Sequence, residues 1–91
     1  MSNVGRAEPS HPAGDVRLLM ESLAKALVDD PSVVSVEAED LDGGTELQLR
    51  VAGPEIGKVI GKQGRTARAL RTILAAVSVK QQKRYTLEIV E

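Results

Sequence analysis

The residues with the clearest chemical meaning lie between Ile56 and Arg71, in the run IGKVIGKQGRTARALR. Two glycines three apart, Gly61 and Gly64, frame Lys62 and Gln63, and Arg65, Arg68 and Arg71 follow. Glycine admits backbone conformations and close approaches that a Cβ forbids. A helix that starts after such a turn presents free N–H groups at the positive end of its dipole. The turn therefore fits a phosphate, with Lys62 and Arg65 as its cations and Gln63 as an adaptable amide. The plainer reading is a glycine turn that only joins two helices. Glycine spacing alone does not separate the two; the apolar Val59-Ile60 before the turn and the cations within and after it favour the anion site.

Charge supports the same reading. Residues 54–84 hold eight lysines and arginines against one acid, Glu55, a net of +7. Residues 1–53 hold four bases and ten acids, a net of −6, and two further acids in 85–91 bring the chain to −1. A near-neutral total thus hides one strongly basic segment on an acidic body, the footprint of a polyanion with a defined docking face.

Other chemistries fall away on inspection. A P-loop needs glycine where Ile56 stands and Ser or Thr where Gln63 stands, and the dinucleotide fingerprint needs glycine in place of Val59. With no cysteine there is neither thiol catalysis nor a cysteine-based zinc site, and the single histidine, His11, lies near the start of the chain. Carboxylates such as Glu21 and Glu46 lack a nucleophile and base to work with, so the expectation is no enzyme, no catalytic residue, no metal, no cofactor and no small-molecule substrate. The acids Glu37, Glu39, Asp40 and Asp42 miss the twelve-residue calcium-loop pattern and read as a solvated turn. No stretch reaches the length of a membrane span, which points to the cytoplasm. Tyr85 is the only aromatic residue and sits at an expected core position, so base stacking on an aromatic sheet platform is excluded and a backbone-clamping mode stays open.

The elements that must position the turn follow from periodicity. Residues 1–14 mix Gly, Pro, Ser and Asn without apolar period and read as a flexible leader, leaving one small domain over 15–91. Asp15 is expected to cap a helix running to about Asp29, its face formed by Val16, Leu19, Leu23, Ala26 and Leu27, with Asp30-Pro31 ending it. Val34–Ala38 and Leu47–Val51 alternate as strands around the turn residues Glu39–Gly44. Pro54 opens a short helix over 55–60. A full helix from Arg65 to about Val79 buries Ala67, Leu70, Ile73, Leu74 and Val77, and Tyr85–Ile89 closes the chain as a strand. The first two strands should be antiparallel, and the two-helix crossover should make the second and last parallel. The expected fold is α+β: helix, strand, strand, helix, helix, strand, with a three-stranded mixed sheet covered on one face by helices.

VIGKQGRTARALRTIL resembles the Val-Ile-Gly-x-x-Gly signature of the KH domain, and the element order is similar to its type II, bacterial arrangement. The small size, the Asp-Pro after the first helix, IGKVIGKQG and the ending LEIVE resemble the small single-domain bacterial RNA-binding proteins of the KH-domain protein A family. The resemblance covers about residues 16–91. It implies a clamp for about four nucleotides of single-stranded RNA. In it Gly61 and Gly64 shape the loop, Lys62 and Gln63 are its tips, and Ile60 is apolar groove wall. Charge and helical position add Lys58, Arg65 and Arg68. The resemblance also implies an RNA-chaperone-like or post-transcriptional role, assembly as a homodimer or with a larger KH-domain protein B, and control of cell wall and cell length. The rival reading is a protein-interaction or dimerisation module with incidental RNA contact.

Overall fold

The computed structural model describes residues 12–91. Its first helix, α1 (Pro12–Leu27), begins three residues before Asp15, which lies within the first turn rather than at the cap. Proline is favoured at a first helical position, where its missing N–H has no partner to lose. The leader expected over 1–14 lies outside the described residues except for its last three, which belong to this helix.

The buried row of α1 is Val16, Met20 and Ala24, with Leu23 packed partly against the core. The expected face is therefore rotated: Leu19 and Leu27 remain 38% and 39% exposed. Consecutive Leu18, Leu19 and Met20 offered two overlapping stripes, and tertiary contacts chose between them. Arg17 donates from Nη1 to the Val36 carbonyl at 3.0 Å, fixing that flank of the helix over the sheet, and the flexible Met20 fills the space beneath. Arg17, Glu21 and Lys25 form an i,i+4 ladder, both cations 3.0 Å from Glu21. The helix stops at Leu27, and Pro31–Val33 makes a 3₁₀ turn whose cap, Asp30, accepts from the Ser32 amide and hydroxyl.

Strands β1 (Ser35–Leu41) and β2 (Gly44–Arg50) form an antiparallel hairpin, with Leu41 opposite Gly44. The strands extend into the expected turn and leave only Asp42-Gly43 as its tip, where Gly43 takes φ 89°. After α2 (Ile56–Ile60) and α3 (Arg65–Gln81), strand β3 (Tyr85–Val90) lies parallel to β2 in the register Leu47–Leu87, giving the order β1-β2-β3. The fold is thus the α+β arrangement of a type II KH domain.

The sheet has one apolar face. Val36, Leu47, Leu49, Tyr85 and Leu87 are buried against Val16, Met20 and Ala24 of α1, Val59 of α2 and Leu70 and Leu74 of α3. The alternate residues Glu37, Glu39, Thr86 and Glu88 face outward, exposed, as a period of two requires. Ile73, expected in the core, is 37% exposed; Ala67, Leu70 and Leu74 carry the α3 contact, with Val77 at its margin. The tyrosine is 6% exposed and donates its hydroxyl to Gln81 Oε1 at 2.7 Å, so its ring has no face left for a base. The hairpin acids do not gather: among the described residues no group of three His, Asp or Glu could hold a metal. No helix among them is long and apolar enough to cross a membrane.

Candidate nucleic-acid interface

Pro54 sits in a 3₁₀ turn, Gly53–Glu55, that leads into the five residues of α2. Two observations anchor this short helix. Val59 is fully buried, and the carboxylate of Glu55, a residue only 8% exposed, accepts the backbone N–H groups of Asp29 and Asp30 just past the end of α1. Lys58 closes the clasp by pairing with Asp29, and it lies 3.6 Å from Glu55 Oε1. The bond to Asp29 holds the Lys58 ammonium above its ordinary pKa. Glu55 was visible in the sequence only as the one acid of the basic segment. Its partners are backbone groups some twenty-five residues away, for which no local pattern exists.

The turn itself is built on three left-handed residues. Gly61 (φ 80°, ψ 167°) ends α2, its N–H donating to the Gly57 carbonyl at 2.8 Å. Gln63 (φ 56°, ψ 27°) and Gly64 (φ 73°, ψ 15°) follow, with the Gly64 N–H 3.0 Å from the Gly61 carbonyl. The glycines are needed for different reasons. A Cβ on Gly61 would lie 2.3 Å from Thr66 Oγ1 and 2.7 Å from the Thr66 backbone nitrogen, whereas one on Gly64 would meet nothing within 4 Å, leaving only its φ as the constraint. Gly64 also caps the seventeen-residue α3 without a side chain, and the Arg65 N–H at its start donates to the Lys62 carbonyl.

Around this backbone the sequence-predicted residues fall into two groups. Ile60 is half-buried at the end of α2, Lys62 and Gln63 stand exposed at the tip, and Arg65 donates from Nη2 to Gln63 Oε1 at 3.2 Å. Arg68, one turn further along α3, lines a shallow cleft with Gly64, Arg71, Thr72 and Ala75. Arg65 is thus tied to the tip and Arg68 shares a cleft with Gly64. Lys58 stands apart, its charge already met by Asp29 and Glu55.

Beyond the cleft, α3 runs beside the open edge of β3. The carbonyls of Arg84 and Val90 accept from β2, so Tyr85, Leu87 and Ile89 turn their backbone groups outward. Ser78 Oγ takes the Tyr85 N–H at 3.2 Å, and Arg71 Nη2 donates to the Leu87 carbonyl at 3.2 Å. In sequence Arg71 stands only as the third arginine after the turn. Its reach to the strand depends on how α3 packs, which no spacing reveals.

Comparison with known proteins agrees with this architecture. The pattern of the KhpA/KhpB KH-domain family matches residues 17–89. The chain is 52% identical over 73 residues to the RNA-binding protein KhpA of Treponema pallidum, a match covering 80% of this chain and 91% of the relative. It is 51% identical over 73 residues to the RNA-binding protein KhpA of Aquifex aeolicus, covering 80% and 92%. It is 45% identical over 75 residues to that of Clostridium acetobutylicum, covering 82% of this chain and all of the relative. With this family signature over most of its length and the type II arrangement of its elements, the chain belongs to the KhpA/KhpB family of KH-domain proteins.

Proposed function

We propose that the chain is a non-enzymatic RNA-binding protein that clamps single-stranded RNA at the Gly61–Gly64 turn. The observation that carries the reading is the turn's geometry: two glycines hold the backbone in left-handed conformations, the tip side chains Lys62 and Gln63 are exposed, and the α3 N-terminus has no side-chain cap. Phosphate oxygens approach the amides, Lys62, Arg65 and Arg68 supply the charge, and Ile60 lends an apolar wall. Lys58 joins only by exchanging Asp29 for a phosphate. The RNA-binding names of its relatives support this reading.

On this reading the protein acts in the cytoplasm as an RNA chaperone or post-transcriptional regulator. It works as a homodimer or with a KH-domain protein B partner, in cell-wall and cell-length control. A footprint of about four nucleotides gives few contacts, so joining two sites raises avidity without new chemistry. Sedimentation that finds only monomer at micromolar concentration, with and without that partner, removes the assembly claim.

Replacing Lys62 and Gln63 together by Asp is the direct test. Both side chains are exposed, so the fold should melt as in the wild type, while RNA affinity falls at least about tenfold as attraction becomes repulsion. A second reading, a dimerisation module with incidental RNA contact, is favoured by the exposed Leu18 and Leu19 on α1. Normal RNA binding by the double mutant puts that reading first.

A further inference from the structure

We propose that Arg71 is a base-reading residue, and that it selects bases presenting two adjacent hydrogen-bond acceptors. This rests on the RNA-binding reading above and extends it from backbone capture to sequence preference. A clamp that holds phosphates leaves the bases to be read by something else. This chain has no aromatic residue for the purpose, since Tyr85 is its only one and is buried with its hydroxyl engaged.

Arg71 differs from the other arginines of the basic segment in what holds it. Among the described residues the Arg65 side chain bonds only to the exposed tip residue Gln63. Arg71 is fixed to the sheet through the Leu87 carbonyl at 3.2 Å, midway along the open edge of β3. It lines both the cleft that starts at Gly64 and the neighbouring apolar pocket formed by Leu74, Tyr85, Thr86 and Leu87. A nucleotide whose phosphate sits at the turn therefore has this guanidinium beside the path of its base. Guanidinium carries several N–H donors in a rigid planar fork and no acceptor. One donor engaged on Leu87 orients the plane and leaves the others for a ligand.

Two parallel donors need two adjacent acceptors. Guanine offers O6 and N7, and cytosine offers O2 and N3 when its pairing edge is free, as in single strands. Adenine and uracil interleave donors with acceptors along each edge. The plainer role for Arg71 is a cover on the strand edge. That role needs only one donor on Leu87 and predicts no discrimination among bases.

Octauridine and three versions with one central guanosine, cytidine or adenosine, titrated by fluorescence anisotropy, separate these roles. The wild type should bind the guanosine or the cytidine oligonucleotide about tenfold more tightly than the adenosine one or octauridine, the scale of one good bidentate contact. If the preference is for guanosine, replacing it by 7-deazaguanosine, which lacks N7, should remove that preference. In Arg71→Lys the charge stays and the fork goes, so the preference should shrink below about twofold. Arg71→Gln should lose the preference as well. Wild-type binding equal for all four oligonucleotides, or an unchanged ranking in Arg71→Lys, overturns the proposal and leaves RNA binding standing. Absence of binding to any oligonucleotide overturns both.

Discussion

Substitution of the two loop glycines by alanine should have unequal consequences, although the sequence presents them as a symmetric pair. At Gly64 the cost is conformational only: φ 73° and ψ 15° lie in the left-handed helical region, and a Cβ there has open space around it. About 1–2 kcal/mol is expected for an L-residue so placed. Gly61 combines two penalties. Its φ 80° and ψ 167° lie in a region essentially reserved for glycine, worth about 1–3 kcal/mol. Its Cβ would also overlap Thr66 at 2.3 Å from Oγ1 and 2.7 Å from the backbone nitrogen, an overpacking of about 1–3 kcal/mol. The sum is about 2–6 kcal/mol, a large part of the stability of a domain this size. With roughly 4–8 °C lost per kcal/mol in a small domain, Gly64→Ala should lower Tm by about 5–15 °C, and Gly61→Ala should lower it further or prevent folding. Adding Thr66→Ala to Gly61→Ala should restore only part of the loss, because the clash with the Thr66 backbone nitrogen survives. Thermal melts followed by circular dichroism measure all three. Equal melting of Gly61→Ala and Gly64→Ala, or full rescue by Thr66→Ala, would refute the reasoning.

Four further outcomes are open to measurement. Tyr85 is the only tyrosine, and no tryptophan is present, so phenolate absorbance reports on it alone; burial pushes its hydroxyl above the ordinary 10.0, and the native titration should be displaced upward from that of the denatured chain. Because the folded pKa values of Tyr85 and Lys58 are both raised, their stabilising contributions are complete below the unfolded values of 10.0 and 10.5. They vanish as pH rises through the folded ones, so urea midpoints should fall on the alkaline side in that window. Glu55→Ala leaves the Asp29 and Asp30 amides without their carboxylate and should cost about 1–3 kcal/mol in chemical denaturation, with Glu55→Gln losing less because one acceptor oxygen remains. RNA affinity should fall with salt at a logarithmic slope near −2, from about two or three neutralised phosphates at about −0.7 each, and a flat salt titration would contradict phosphate-led binding.

Much of this protein was determined by local sequence. Alternation in β1, β2 and β3, the glycines and proline that punctuate the helices, and the one-sided charge all act within a few residues, and together they fix the element order and the mixed sheet. The loop was legible for the same reason: its left-handed conformations and exposed tips are properties of Gly61-Lys62-Gln63-Gly64 themselves. Tertiary structure decided what depends on packing between distant segments. Leu18, Leu19 and Met20 allow more than one buried stripe on α1, and contact with β1 chose Val16, Met20 and Ala24. Glu55 found its partners at Asp29 and Asp30, which drew Lys58 away from the loop and into an ion pair. Arg71, indistinguishable from its neighbours in sequence, met the Leu87 carbonyl because α3 lies along the open edge of β3. Periodicity gives a helix its faces, but rotation about its own axis and the backbone groups it meets are set only when the pieces close on one core.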